Sequence, residues 1–198
     1  VAIGLKSKGQ SQIQESSAAT LPSVKGFQAI VSGSCSTTTN SQVADFVVRG
    51  GEAYPIDPMQ LADGVDVVEN ALTWAKDRLI DGSVLIYATA EPAAVSAIQT
   101  NLGVEKAGEM VEHALASIAR GLVEMGVQQL IVAGGETSGA CVQALGITRM
   151  RIGPQIAPGV PWCHAPSIYA GNGGLHIALK SGNFGAIDFF TSAFRVLK

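Results

Sequence analysis

Short apolar runs alternate with amphipathic segments along this chain, and the alternation limits its fold more than any other feature of the sequence. The runs FQAIVS, SVLIYA, QQLIVA and LHIALK have the length and composition of buried strands, whereas VDVVENALTWAKDRLI places its apolar residues at helical spacing. Strands and helices that alternate in this way form a parallel or mixed sheet with helices on both faces. The sequence therefore predicts an α/β fold, namely a three-layer Rossmann-like domain.

The remaining segments extend this pattern. The run EAYPID predicts an edge strand, because Pro55 has no N–H to give to a second neighbouring strand. After Gly146, closely spaced proline and glycine residues favour two or three brief strands. Further helices are predicted over residues 37–50, 91–103, 105–126, 137–146 and 186–197, the last of them with Phe189, Phe190 and Phe194 on its inner side.

Three of the predicted strands end in the same kind of sequence. VSGSCSTTTN, AGGETSG and ALKSGNFGAID each leave an apolar run, pass through glycine and hydroxyl residues, and open a helix; we call them the first, second and third junctions. Ligands of open α/β sheets bind beyond the carboxyl ends of the strands, where helix N-termini offer free N–H groups and a positive dipole end. Glycine allows these N–H groups to converge on an anion, and hydroxyls add further donors. The three junctions together predict a phosphate site.

The residues of this candidate site are mainly small or hydroxyl-bearing. They include Ser32, Gly33 and Ser34 in the first junction, Gly134 to Gly139 in the second, and the KSGNFG stretch in the third. Glu136 is the exception, because a carboxylate repels phosphate. It is expected to hold a ribose hydroxyl, a backbone N–H or Mg²⁺, or else only to complement the dipole of the helix it opens. Lys180 is expected either to neutralise phosphate charge or to be a solvated strand end.

Several common site signatures are missing from the sequence. No GxxxxGK[ST] or GxGxxG stretch occurs, which disfavours a Walker-type ATPase and a nicotinamide-dependent oxidoreductase. GxSxG is absent too, and an acyl or amide hydrolase using Ser34 or Ser138 would need an activating histidine that the sequence does not place beside either serine. Cys35 is expected to be a small buried apolar residue and not a nucleophile.

Composition narrows the classes of partner. The net charge of −3 over 198 residues disfavours nucleic acid, whose binding domains carry a basic excess. No apolar run reaches the roughly 20 residues of a membrane-spanning helix, so we expect no membrane partner. Three widely spaced cysteines form neither a zinc motif nor a disulfide framework, so no metal site built from cysteine and histidine is predicted. A reduced, cytoplasmic setting is therefore expected.

The first 25 residues differ from the rest of the chain in composition and in hydrophobic periodicity. Residues 1–25 are polar, rich in serine and glutamine, and without clear periodicity, which predicts a linker or residual interdomain segment. Residues 26–198 then form the folded domain. Because the sequence starts at Val1 without methionine, we interpret it as the later part of a longer polypeptide.

Five segments, in order, resemble one known family: VSGSCSTTTNSQV, YATAEPAAVSAIQ, VAGGETSGACVQALG, GPQIAPGVPWC and LHIALKSGNFGAIDFF. Together they are similar to the C-terminal domain of the four-carbon acid sugar kinases, and most of all to the 3-oxo-tetronate kinases. The resemblance implies a two-domain, ATP-dependent enzyme that forms the 4-O-phosphate of a four-carbon sugar acid, with Mg²⁺ as a further cofactor. It places nucleotide contacts on Ser32, on Gly134, Gly135, Glu136 and Thr137, and on Gly182. Ser34 is added by the chemistry of the first junction.

The sequence also departs from this family. The Asp-Asp-x-Thr-Gly-Ala stretch of the family's N-terminal, sugar-binding domain is absent, so the acid sugar is expected to bind a domain outside this chain. The catalytic residues are expected there as well, and the chain alone is expected to be inactive. The SIYAGNGG stretch is longer and richer in glycine than the resemblance leads us to expect, and it is predicted to alter a loop near the site.

Two matters stay open at the level of sequence. The junctions also suit a non-catalytic module that binds an anion or a nucleotide for regulation, and preference for adenine nucleotides over inorganic phosphate separates this alternative from a kinase. The acid itself (3-oxo-tetronate, threonate or erythronate) and a homodimer are equally open, because the pocket that selects the acid lies mostly outside the chain.

Overall fold

A computed structural model describes residues 20–88 and 104–197 of the chain. Seven strands in these ranges form one sheet in the order β2-β3-β1-β4-β7-β6-β5. Their bounds are β1 Phe27–Ser32, β2 Glu52–Pro55, β3 Val84–Tyr87, β4 Val127–Ala133, β5 Arg151–Ala157, β6 Val160–Ala165 and β7 Leu175–Lys180. The predicted edge strand is β2, which lies at one end of the sheet.

The sheet is mostly parallel. β2, β3, β1, β4 and β7 run in one direction, and β6 and β5 add an antiparallel pair at the far end. At the centre, Ala29 of β1 lies beside Leu130 of β4, which in turn lies beside Ile177 of β7. Because these three neighbours are parallel, their carboxyl ends lie at the same edge.

Helices cover both faces of the sheet. Their bounds are α1 Thr37–Val48, α2 Pro58–Ala62, α3 Val67–Arg78, α4 Val104–Glu124, α5 Gly135–Ala144 and α6 Phe189–Ser192. One face packs against α3, α4 and α5 through buried residues such as Ala75, Leu122 and Cys141. The other packs against α1 and the C-terminal segment through Phe46 and Phe190. The predicted three-layer α/β fold is confirmed.

Local sequence explains where the main helices begin. The Ser36 side chain accepts a hydrogen bond from the backbone N–H of Thr39 and so caps α1. The Asp66 carboxylate caps α3 in the same way through the N–H of Glu69. Gly50 follows α1 with a φ of +84°, a backbone conformation that costs glycine little. These signals are local, and the sequence predicts both helices well.

The C-terminal helix is shorter than predicted. The α-helix covers only Phe189–Ser192, followed by a 3₁₀ segment at Ala193–Leu197, although Phe189, Phe190 and Phe194 are buried as expected. The segment just before this helix is held by α1, because the side-chain amide of Gln42 donates to the backbone carbonyls of residues 184, 185 and 186. The helix itself begins only at Phe189, after this anchored segment.

Two further predictions concern regions away from the carboxyl edge of the sheet or outside the described ranges. The SIYAGNGG stretch immediately precedes β7, so it lies at the amino edge of the sheet, opposite the three junctions, and the prediction that it alters a loop near the site is wrong. The helix predicted over residues 91–103 lies outside the described residues, as do residues 1–19 of the predicted linker. None of the helices described here has the length and apolar character needed to cross a bilayer.

Candidate functional site

The three junctions lie side by side because β1, β4 and β7 are consecutive neighbours in the sheet. The backbone N–H of Gly33 donates to the carbonyl of Ala133 at 3.0 Å, which joins the first junction to the second. The N–H of Gly134 donates to the carbonyl of Lys180 at 2.8 Å, which joins the second to the third. The parallel ladder thus continues into the loops and fixes their spacing.

The first and second junctions touch so closely that side chains are excluded. A Cβ atom at Gly33 would collide with Thr137 Oγ1. One at Gly134 would come within 2.8 Å of the same hydroxyl and 3.2 Å of the backbone nitrogen of Ser34. Gly134 also has a φ of +123°, which strains any other residue. Both glycines are therefore required by the approach of one loop to the other.

The first and third junctions are joined by two hydroxyl groups, those of Ser36, the N-cap of α1, and Thr39 in its first turn. Ser36 Oγ donates to the carbonyl of Gly182 at 2.7 Å, and Thr39 Oγ1 donates to the same oxygen at 2.9 Å. A Cβ at Gly182 would lie 2.6 Å from Ser34 Oγ and 2.9 Å from Ser36 Cβ. Together with the ladder bonds, these contacts hold all three loops in one rigid surface.

The N-terminus of α5 lies in the middle of this surface. Its N-cap residue is Gly134, which has no side chain to cap the helix, and the helix begins at Gly135 rather than at the predicted residue 137. The first N–H groups of a helix have no partner within the helix, so those of Gly135 and Glu136 are left for a ligand or water. Gly135 is exposed, and a Cβ there would meet nothing within 4 Å. This end of α5 therefore suits an anion.

Glu136 lies beside a second carboxylate that the sequence did not reveal. Glu112 of α4 is partly buried, and burial raises its pKa above the ordinary value. The charge of Glu136 and a side-chain hydrogen bond to it raise the pKa of Glu112 further. The repulsion between two neighbouring carboxylates would be relieved by a cation bound between them.

Lys180 is not a solvated strand end, and that alternative is wrong. Its side chain is fully buried, with 0% of its surface exposed, because it leaves the central strand β7 beneath α1 and the third junction. The ammonium donates to Thr39 Oγ1 at 3.1 Å and to the carbonyls of Ser181 and Gly182 at 3.1 and 3.0 Å. All three of its N–H bonds thus point into the protein.

The predicted site residues all lie at this edge, but with different exposure. Glu136 and Gly135 are exposed and Gly182 is partly exposed, so that these three face outward. The side chains of Ser32, Ser34 and Thr137 are buried, and Thr137 fills the space between the first two junctions. The buried residues shape the loops, while the exposed ones offer backbone and carboxylate groups to a ligand.

Ser34 and Ser138, the two serines considered for a hydrolase, are not activated as nucleophiles by any of the described residues. Ser138 Oγ donates to the carbonyl of Gly134 at 2.6 Å, and Ser34 Oγ donates to Ser36 Oγ at 3.3 Å. In the ranges that the structure describes, neither serine is hydrogen bonded to a histidine. Cys35 was predicted to be buried and is exposed instead, because it lies at the outer turn between β1 and α1; all three cysteines are free thiols.

Three helix residues that contact the second and third junctions were not predicted from the sequence. Thr39 and Gln42 of α1 fasten the third junction, and Glu112 of α4 faces the second. For the two residues of α1, the sequence offers one signal, the run of polar residues TTTNSQ at the start of that helix. Two of these polar side chains are fully buried in the structure, Thr39 and Gln42.

Known protein families and sequences include clear matches to this chain. A family model described as a nucleotide-binding C-terminal domain matches residues 29–190. The 3-oxo-tetronate kinase of Pseudomonas fluorescens is 48% identical over 182 residues, which cover 92% of this chain and 41% of the relative. That of Burkholderia multivorans is 50% identical over 180 residues, covering 91% and 41%. The chain therefore spans about two-fifths of the length of the curated relatives it matches.

Solved structures show the same fold. A crystal structure of a Haemophilus influenzae protein gives a TM-score of 0.80 at 39% identity and covers 90% of this chain and 42% of that one. A Bordetella bronchiseptica protein, crystallised with bound citrate as a domain-swapped dimer, gives a TM-score of 0.67 at 19% identity, covering 87% and 41%. The second likeness shows the fold alone.

Proposed function

The chain belongs to the four-carbon acid sugar kinase family as its nucleotide-binding C-terminal domain, and on this premise we propose that it binds ATP at the three junctions. The ATP would serve phosphorylation of the 4-hydroxyl of a four-carbon sugar acid: 3-oxo-tetronate, threonate or erythronate. The observation that supports this most is the uncapped start of α5, with Gly134 as its N-cap, in the centre of the rigid surface.

The contacts of a bound nucleotide follow from the exposure of the loop residues. The N–H groups of Gly135 and Glu136 would bind phosphate oxygens at the positive end of the α5 dipole. Gly182 allows the third junction to approach from the other side. Backbone donors held in place in this way stabilise the charge of a transferring phosphoryl group without moving, and phosphoryl transfer depends mainly on such positioning.

Glu136 and Glu112 are the residues we propose for Mg²⁺. Oxygen ligands suit this ion, and it is commonly held by one or two carboxylates together with substrate phosphates. The raised pKa of Glu112 supports this, because a cation bound there would offset the repulsion from Glu136 that contributes to it. When bound, Mg²⁺ neutralises charge that develops on the phosphates.

The acid sugar and the catalytic residues are assigned to a domain outside this chain. The relatives are more than twice as long as the matched region, which leaves room for such a domain. We therefore propose that this chain alone binds ATP without phosphorylating a sugar acid. A cytoplasmic setting and a homodimer belong to the same proposal; size-exclusion chromatography with light scattering tests the second.

Isothermal titration calorimetry of Mg-ATP into the chain tests the nucleotide site. Gly135→Val places a branched side chain where the phosphates would lie, and the structure shows open space there, so the fold is expected to persist. Gly82→Val is the matched control, because Gly82 is also exposed with open space but lies before β3, at the opposite edge. We expect Gly135→Val to abolish the heat of binding and Gly82→Val to leave it unchanged. Equal heats for wild type and Gly135→Val would refute the site.

A second candidate function is regulation by a bound anion without catalysis. It is favoured by the same uncapped helix end, which binds any anion of suitable size. Titrating inorganic phosphate and ATP separately distinguishes the two. A kinase domain should bind ATP at least about tenfold more tightly, an advantage of about 1.4 kcal/mol for the contacts to adenine and ribose. Equal affinities would favour the regulatory module.

A further inference from the structure

A buried lysine lies directly beneath the three junctions. The ammonium group of Lys180 is satisfied by three uncharged acceptors, namely Thr39 Oγ1 and the carbonyls of Ser181 and Gly182. Gly182 is also held by Ser36 and Thr39, so the carbonyl at the centre of the third junction accepts from three side chains. Lys180 therefore belongs to the framework of the loop and does not extend into the space above it.

This ammonium has no counter-ion within the described ranges. The ion pairs found there are Arg49–Asp45 and Arg78–Glu52, both in other parts of the surface. Burial alone lowers the pKa of Lys180 to about 8, with no contribution from a neighbouring charge. The groups that face it from each packed element are uncharged: Thr39 of α1, Ala133 of β4, the carbonyls of Ser181 and Gly182, and the Phe189 ring of α6 at 6.0 Å.

A buried charge without a counter-ion is unfavourable even when it is hydrogen bonded, and a ligand of opposite charge nearby would offset part of that cost. Only two consecutive residues of the third junction, Ser181 and Gly182, lie between Lys180 and the exposed surface. An anion bound at this junction would interact with the ammonium through a medium of low dielectric constant, where charges act strongly. An anion on the outer side of the loop would supply the negative charge that the described residues do not place beside Lys180.

We propose that Lys180 balances the charge of the nucleotide polyphosphate from beneath the loops, and that binding of the polyphosphate and protonation of Lys180 are thermodynamically coupled. The inference rests on the proposed ATP site and deepens it. In this proposal Lys180 is a positioning residue, because its three hydrogen bonds go to Thr39 and to the carbonyls of the third junction. Linkage makes the coupling reciprocal: the anion favours the charged lysine, and the charged lysine favours the anion.

The direction of the pH effect follows from this coupling. Below pH 8 the free protein already carries the charged lysine, so binding takes up little proton. Near and above pH 8 a growing fraction of Lys180 is neutral in the free protein, and binding must add a proton to it. Affinity for ATP should therefore fall as the pH rises above about 8, by up to about tenfold per pH unit.

Calorimetry in two buffers of different ionisation enthalpy measures the proton uptake directly. We expect wild type to take up about half a proton when Mg-ATP binds at pH 8, where the phosphates of Mg-ATP are already ionised, and almost none at pH 6.5. Lys180→Met keeps the length of the side chain without its charge, and should bind ATP at least about tenfold more weakly at pH 7 with no uptake at pH 8. Lys76→Met, an exposed lysine of α3, is the matched control and should behave as wild type.

The outcomes separate the two proposals. Absence of ATP binding to wild type overturns the nucleotide site itself. Binding with equal affinity and equal proton uptake in wild type and Lys180→Met leaves the site standing and overturns the role of Lys180. If Lys180→Met does not fold, NMR titration of the Lys180 side chain in wild type decides: its pKa should rise on addition of ADP, and an unchanged pKa contradicts the coupling.

Discussion

The α-carbon of Gly182 lies so close to the Ser34 side chain that a Cβ atom added there would be 2.6 Å from Ser34 Oγ. The two residues are far apart in sequence, and they meet only because β1, β4 and β7 are neighbours in the sheet. The contact joins the first and third junctions on either side of the α5 N-terminus. The spacing of the proposed phosphate site therefore depends on the absence of a side chain at position 182.

Gly182→Ala is expected to weaken ATP binding by about tenfold, because the added methyl pushes the third junction away from Ser34 and Ser36 and costs roughly 1.4 kcal/mol of binding energy. Calorimetry measures the affinity. Gly108→Ala in α4 is the control, since a Cβ there meets open space and alanine favours the helix. Unchanged affinity in Gly182→Ala would show that the junction spacing is unimportant.

Gln42→Ala is expected to destabilise the protein by about 3 kcal/mol, because it removes the amide that satisfies three backbone carbonyls in a buried position. Urea denaturation followed by circular dichroism measures the change. Gln60→Ala, an exposed glutamine in α2, should change stability by less than about 0.5 kcal/mol. A loss below about 1 kcal/mol for Gln42→Ala would mean that water replaces the amide without cost.

Much of the fold was predictable because its signals are local. The apolar runs of β1, β4 and β7, the Ser36 cap and the proline of β2 each act within a few residues, and each element formed where the sequence placed it. The late start of the C-terminal helix was not predictable, because the segment before it is held by a contact that is distant in sequence. Gln42 holds the carbonyl of Gly185 across 143 residues of sequence, and no pattern within residues 186–197 records that contact.

The types of residue in the candidate site were predictable, but their burial and their contacts between helices were not. Glycines and hydroxyls marked the three junctions, since a close approach of loops requires small residues. The sequence could not show that Lys180 is buried, because a lysine at a strand end looks the same in either state. Nor could it show Glu112 beside Glu136, since that contact depends on how α4 packs against α5.

Glu112→Gln is expected to stabilise the protein at neutral pH. The pKa of Glu112 is raised in the folded state, so the native protein favours the protonated form, and stability falls as the pH rises from about 4.5 and the carboxyl ionises. Thermal unfolding at pH 4 and pH 7 should show a higher Tm for the variant at pH 7 and little difference at pH 4.

A double-mutant cycle with Glu136→Gln identifies the cause of this gain. Each single variant removes the same repulsion between the two carboxylates, so the double variant should gain less than the sum of the two. Strict additivity would show that the groups do not interact, and would remove the support for a cation between them.

Lys180→Met is expected to change the pH dependence of stability as well as binding. Burial lowers the pKa of Lys180 from 10.5 to about 8 in the folded protein, so folding below pH 8 keeps a buried charge that the unfolded chain holds in water. Between pH 8 and 10.5 the native lysine is neutral while the unfolded one is still charged. Wild type should therefore gain stability relative to Lys180→Met across that window, by at most about 1.4 kcal/mol per pH unit. Urea denaturation of both proteins from pH 7 to 10.5 measures the difference; a constant difference would show that the lysine keeps its ordinary pKa and lies in contact with water.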